Sequence, residues 1–252
     1  GDATVDIVNP TFYDNEVGIY VEEDTVNVSG GSIQGGGTEA SYCSTGVVAD
    51  YDAILSVEGT EIYDCADTQQ PVVVVEQNVN WDHAWGCGIY VAPEAAADVT
   101  GCCEIHHNDV GILVVGFFPD GEEPAIGTPG ALTANGNSIY DNRLWGVMAG
   151  YFGPGEEAPA NALPYVYDCE RNWWGSEEGP YLQLYVVEDE PGYGNPVTYG
   201  IDYTPWLDAP CPHGDPVGMG ARFTPSIRSG VTGDAVQFTD VSTPPPGCVI
   251  DS

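Results

Sequence analysis

The 252-residue sequence predicts an all-β fold, a right-handed parallel β-helix in which short strands wind into stacked coils. Three observations carry the prediction. A short pattern returns along the chain: an apolar residue, Tyr or His, Asp or His, then Asn or Cys. A few residues later comes Gly followed by alternating apolar residues, which is the period of a strand with one buried face. No stretch of about ten residues carries a convincing helical period, and a credible helix needs that length.

The copies are Phe12-Tyr-Asp-Asn15, Ile62-Tyr-Asp-Cys65, Ile105-His-His-Asn108, Ile139-Tyr-Asp-Asn142 and Val166-Tyr-Asp-Cys169. Three continue with Gly-Ile-Tyr-Val (Gly18 to Val21), Gly-Ile-Leu-Val (Gly111 to Val114) and Gly-Val-Met-Ala (Gly146 to Ala149). Gly46 to Ala49 and Gly88 to Val91 suggest extra or interrupted coils. A repeat of this kind overrides local guesses, because one unit buries its apolar face only by stacking on its neighbours. Asn15, Asn108 and Asn142 are then expected to form a ladder of side-chain amides at a turn, with Cys65 and Cys169 replacing Asn in two coils. The stretches from Phe117 to Leu132 and from Tyr151 to Pro164, rich in Gly, Pro and Glu, read as loops thrown out from the coil.

Downstream lies Cys169-Glu-Arg-Asn-Trp-Trp-Gly175, followed by Gly179-Pro180 and Ile201-Asp-Tyr-Thr-Pro-Trp-Leu207. An open apolar end needs a cover, and the adjacent rings of Trp173 and Trp174 are expected to supply it. This stretch resembles the closing turn of extracellular, pectate-lyase-like parallel β-helix proteins, and the resemblance implies a solenoid with a capping segment over 1–210. From about Pro212 the composition changes. Ala221-Arg-Phe-Thr-Pro-Ser226 and Gly233-Asp-Ala-Val-Gln-Phe-Thr-Asp-Val-Ser-Thr243 resemble the opening strands of an immunoglobulin-like PKD domain. Residues 211–252 are therefore expected to be a linker and the first strands of an incomplete sandwich. Such strands either belong to a longer protein, which is the favoured expectation, or complete a sheet in a neighbouring molecule.

The chain holds 39 acidic residues against four arginines, with no lysine, and a formal charge of −35. That balance excludes nucleic acid and anionic membranes as direct partners and calls for cations. No apolar run of membrane-spanning length is present. Calcium, held by carboxylates and carbonyl oxygens, is the expected ion. Asp14, Asp64, Asp141 and Asp168 are the carboxylates whose positions recur, which makes them its expected ligands. Asn27-Val-Ser29 is a sequon, so Asn27 is an expected glycan site.

Eight cysteines without a Cys-x-x-Cys pair point to disulfides in an oxidising compartment. Partners should sit on adjacent coils or within one loop, since bonding needs Cα atoms within about 7 Å. Cys43 with Cys65 and Cys87 with Cys102 or Cys103 satisfy that, and Cys211 with Cys248 would bridge the linker to the second module. Cys169 is a further candidate.

Asn80-Trp-Asp-His83 has some likeness to a Trp-x-Asp-His segment of pectate lyases, which act with calcium and an arginine base. Asp82, His83 and Arg143 are the residues such an activity would use. Neither Arg143 nor Arg171, the arginines of the solenoid, lies in the Arg-x-Pro-x-x-Arg setting of those enzymes. The Asn-Thr-Asp, Asp-Asp and Arg-Ile-Lys segments of polygalacturonases are absent. Gly101-Cys-Cys-Glu-Ile-His-His-Asn108 offers metal-ligand residue types, but successive strand residues face opposite ways, so His106 and His107 cannot both ligate from one strand. The expectation is a non-catalytic structural protein of the cell surface or extracellular space, such as an S-layer, adhesin or filament subunit, that associates with copies of itself. A polysaccharide lyase, a glycosidase or a polysaccharide-binding solenoid is the alternative.

Overall fold

A computed structural model of the chain describes residues 3–36, 44–66, 86–115, 130–150, 166–182, 193–198, 200–217, 223–225 and 238–240. Among the described residues every regular element is a strand. The strands form three parallel sheets and wind as a parallel β-helix. Sheet A contains β1 (Thr4–Val8), β4 (Thr25–Ser29), β7 (Ile54–Glu58), β10 (Ala96–Thr100), β13 (Ala131–Ala134), β16 (Tyr167–Asp168) and β17 (Ile201–Asp202). Sheet B contains β2 (Thr11–Asn15), β5 (Ser32–Gly35), β8 (Glu61–Tyr63), β11 (Glu104–His106) and β14 (Ser138–Tyr140). Sheet C contains β3 (Val17–Glu22), β6 (Thr45–Asp50), β9 (Cys87–Val91), β12 (Val110–Val115) and β15 (Trp145–Gly150). Among the described residues, five coils each take one strand from every sheet: β1 to β3, β4 to β6, β7 to β9, β10 to β12 and β13 to β15.

Because side chains alternate across each strand, in-register pairing stacks like on like inside the coil. Ile33, Ile62, Ile105 and Ile139 superpose in sheet B. Val28, Val57, Val99 and Ala134 superpose in sheet A, and Ile19, Val47, Ile89, Ile112 and Val147 in sheet C. All are buried in one continuous core.

The recurring glycine has a single cause. Gly18, Gly46, Gly88 and Gly111 stand in one column where sheet B turns into sheet C, and a Cβ on any of them would lie 2.5–2.6 Å from the carbonyl oxygen of the glycine on the next coil. No side chain fits there. Gly46 and Gly88 are therefore full members of the repeat rather than interruptions. The recurring Asp is also a backbone requirement: Asp14, Asp64 and Asp141, with His107 in the fourth coil, adopt φ of 52–57°. Among residues with a Cβ, Asp, Asn and His tolerate that left-handed region best.

The expected asparagine ladder is present but displaced along the stack. The Asn108 amide donates to Asn142 Oδ1 at 3.0 Å, and Asn142 donates to Asn195 Oδ1 at 3.0 Å. The same oxygens accept the backbone N–H groups of Asn108 and Asn142. Asn15 is not a member. It donates to the carbonyl of Tyr13, its neighbour in the chain, because the next coil carries Gly35 at its register position and offers no amide. A second ladder, unread in the sequence, occupies the corner between sheets A and B: Cys103 N–H donates to Asn137 Oδ1, and Asn137 N–H to Asn172 Oδ1. Asn195, Asn137 and Asn172 lie outside the recurring motif, so their role could not be seen in it.

Two further expectations are corrected. Val166-Tyr-Asp-Cys169 is not a fifth copy of the sheet B corner, since Tyr167 and Asp168 form β16 in sheet A, with Asp168 opposite Thr133. Sheet B continues instead at Trp173, which bridges Ser138. The two tryptophans do not cover the end together. Strand alternation turns them apart, so Trp174 is fully buried in line with the isoleucines, whereas Trp173 is only partly buried and meets Tyr140 outside at 5.1 Å, its ring tilted by 53°.

The chain beyond the last coil returns to the solenoid. β18 (Trp206–Leu207) pairs antiparallel with β19 (Pro216–Val217), and a disulfide joins Cys211 to Cys102. This pairing replaces both expected ones, Cys87 with Cys102 and Cys211 with Cys248. Coil spacing alone could not reveal it, because the partners are 109 residues apart and meet only once the chain folds back. Cys103 and Cys169 carry free thiols, buried in the core. Cys65 and Cys87 are buried as well, while Cys43 and Cys248 lie outside the described residues. Further on, β20 (Phe223–Pro225) pairs antiparallel with β21 (Phe238–Asp240).

Two substitutions test this packing by urea denaturation. Trp174→Ala should cost about 3–5 kcal/mol, the usual loss for a large buried ring, and Trp173→Ala distinctly less; equal losses would mean that both rings close the end. Asn142→Ala should cost at least about 1–3 kcal/mol, because it strands the buried Asn108 N–H. A neutral Asn142→Ala would remove the ladder from the account of stability.

Candidate functional site

The outer face of sheet B gathers carboxylates, phenols and an imidazole among the described residues. The triplets Glu61-Ile-Tyr63, Glu104-Ile-His106 and Ser138-Ile-Tyr140 bury their central isoleucine and turn both flanking residues outward. Glu61, Glu104 and Ser138 therefore stand in one row, and Tyr63, His106 and Tyr140 in the next. The rings stack: Tyr63 on His106 at 5.4 Å and 17°, and His106 on Tyr140 at 4.9 Å and 21°. Trp173 ends the row. Rings stacked along the coil axis lend their faces to one another and leave edges to solvent.

His106 is the centre of this face. It is buried, and its Nε2 lies 3.2 Å from Glu61 Oε1. Its Nδ1 lies 2.6 Å from Nδ1 of His107, whose ring meets it edge-on at 82°. Tyr140 Oη donates to Glu104 Oε2 at 3.4 Å. Burial, reinforced by the negative charge of Glu104, pushes the Tyr140 phenol up to about 12; burial and Glu61 push Tyr63 in the same direction. One ligand atom each from Glu61, Glu104 and His106 lie within 4.8 Å of one another. The Ser138 hydroxyl accepts the Cys211 N–H at 3.1 Å, so the disulfide-held segment borders the same face. The sequence did carry a signal for the two acids, the repeated Glu-Ile-Tyr and Glu-Ile-His, but that signal concerns the row beside the motif rather than the motif itself.

The residues expected to act lie elsewhere. Asp14, Asp64 and Asp141 occur on the first, third and fifth coils. With rungs about 4.8 Å apart, successive members stand about 9–10 Å apart, with Gln34-Gly35 or His107 between them, whereas Ca2+ draws its oxygens to about 2.3–2.6 Å. Asp64 instead accepts a hydrogen bond from Gln34 at 3.0 Å. Asp168 is on sheet A beside Asp202, so the four do not share a site. Asn27 faces outward from sheet A, and its amide donates to Asp6 at 2.8 Å. Arg143 is ion-paired with the buried Asp109 at 2.8 Å. Asp82 and His83, the other members of the catalytic alternative, lie outside the described residues.

The buried thiols of Cys103 and Cys169 show no activation. Burial pushes Cys103 up to about 11 and raises Cys169 as well, with Asp168 and Asp202 adding to it, which is opposite to the shift a nucleophilic cysteine needs. Comparison with protein-family models, curated proteins and solved structures yields no match. Among the described residues no helix is long and apolar enough to cross a membrane.

The acid pair on sheet A gives a pH prediction. Burial, and secondarily the charge of Asp168, raises the Asp202 carboxyl above its ordinary value of 3.8, against the opposing bonds from Thr204. Ionised Asp202 therefore costs the folded state stability. That cost is absent below the ordinary value, and grows as pH rises through the raised folded value. Asp202→Asn should raise the melting temperature at pH 7, and the gain should shrink toward zero below pH 3.8. Melting curves in which Asp202→Asn is no more stable at pH 7 would contradict it.

Proposed function

We propose that this chain is a non-catalytic structural solenoid of an extracellular or cell-surface protein, and that it associates with copies of itself. The observation that carries this is the stack itself: three parallel sheets in register close around one continuous apolar core. Outside that core Val8, Tyr13, Val17 and Tyr20 are exposed, apolar groups that a second copy would cover.

The disulfide suits an oxidising compartment. The charge of −35 opposes association unless cations screen it, so calcium is the proposed assembly ion. The hairpin of β20 and β21 fits the opening of a PKD-like module, and the solenoid resembles pectate-lyase-like coils in architecture. Arg143, the base that a lyase reading would need, is already engaged by Asp109, and the aromatic row of sheet B presents edges rather than faces to a sugar.

Electron microscopy and light scattering of the purified chain, with added Ca2+ and with chelator, test the proposal. Oligomers or fibres that dissolve on Val8→Lys together with Val17→Lys are expected. Monodisperse monomers in every condition would overturn self-association, and turnover in a polysaccharide panel would overturn the non-catalytic reading.

A further inference from the structure

We propose that Glu61, Glu104 and His106 bind one divalent d-block cation of the Zn2+ class, which pins the third and fourth coils together on the outer face of sheet B. This site is independent of self-association. Three features converge on it.

The first is the donor set and its spacing. An imidazole nitrogen with two carboxylates suits a borderline cation, whereas Ca2+ prefers six to eight oxygens. A tetrahedral zinc site sets its ligand atoms about 3.4 Å apart, from bonds of about 2.0–2.2 Å. His106 Nε2 and Glu61 Oε1 already stand at 3.2 Å, and the three donors lie within 4.8 Å of one another, so rotation of the exposed Glu104 carboxylate completes the set. A fourth position stays open to water.

The second is the state of the imidazole. Tyr63 and Tyr140 sandwich the His106 ring and fix its plane. Only one proton can sit between the two Nδ1 atoms at 2.6 Å. With His106 as that donor, the Nε2 lone pair faces Glu61 and is open to a cation; with His107 as donor, Nε2–H bonds Glu61 and a cation displaces that proton. A ring nitrogen donating to a neighbour while the other nitrogen faces two carboxylates is the arrangement of a metal-bound histidine with its outer partner.

The third is charge. Glu61 and Glu104 are directly opposite on adjacent parallel rungs, and like charges so placed destabilise a sheet. In a chain without lysine and with a formal charge of −35, a bound cation relieves that repulsion. The same alternation that keeps His107 from joining as a ligand places it, at φ 55°, where it holds His106 from behind.

The test titrates ZnCl2 into the chelator-treated full chain by calorimetry, with excess CaCl2 present to occupy diffuse acidic sites. One saturable Zn2+ per chain is expected, together with a shift of the His106 Nε2 resonance in nitrogen-15 spectra. Glu104→Gln, at an exposed position, should weaken binding by about 10-fold or more, and His107→Asn, which keeps a residue tolerant of the left-handed corner, by about 10-fold. Circular dichroism reports whether each variant remains folded, and His213→Gln should leave binding unchanged. Absence of a saturable site under excess Ca2+, equal affinity in folded Glu104→Gln, or an unmoved His106 resonance would each overturn the proposal.

Discussion

Parallel in-register stacking, with rungs about 4.8 Å apart, is the constraint on which everything else in this molecule rests. It places each residue directly against its counterpart on the next coil, so every column must tolerate its own repetition. Isoleucine meets isoleucine and packs. Glycine meets the carbonyl of glycine, at a distance that admits no Cβ. Asparagine serves a ladder well because one amide holds both a donor and an acceptor, and can satisfy a backbone N–H below while bonding its own copy above. Each ladder opens on a cysteine whose backbone N–H is accepted by the first asparagine: Cys65 by Asn108, and Cys103 by Asn137.

The same rule makes acids difficult. Stacked carboxylates repel, and this chain carries 39 acidic residues with no lysine to intersperse among them. Several local devices separate the charges. Asn27 donates to Asp6 across one rung, Gln34 to Asp64 across another, and Tyr20 Oη to Asp50 at 2.6 Å across a third. In the recurring corner, Asp alternates with Gln-Gly and with His instead of repeating on consecutive coils. At two places where acids stand on adjacent rungs the response differs: a histidine lies beside Glu61 and Glu104, and the Asp202 carboxyl, next to Asp168, is raised above its usual range. Those are the positions at which the surface has chemistry beyond shape.

Much of the fold was legible in the sequence because its columns are written in residue types that few other environments demand. The glycine followed by alternating apolar residues marked sheet C, and the apolar-Tyr-Asp-Asn run marked the corner after sheet B. What escaped were features created by the winding itself. Val166 to Cys169 matched the motif, yet tertiary register assigned Tyr167 and Asp168 to sheet A. Asp14, Asp64 and Asp141 looked like ligands because they recur, although left-handed backbone geometry accounts for their recurrence. The Cys102–Cys211 bond spans 109 residues, and the grouping of Glu61, Glu104 and His106 joins two coils. Neither is visible until the rungs are superposed. The function is less legible still, since the outer faces hold their side chains in rows that serve the stack first.

The register itself can be measured directly. In a nuclear Overhauser spectrum of uniformly labelled protein, contacts are expected between the amide and α protons of Ile33, Ile62, Ile105 and Ile139 in successive pairs, continuing to Trp174, in the pattern of parallel neighbours. Close α-proton pairs between any two of these segments, the signature of antiparallel strands, would contradict it, as would contacts that skip a rung.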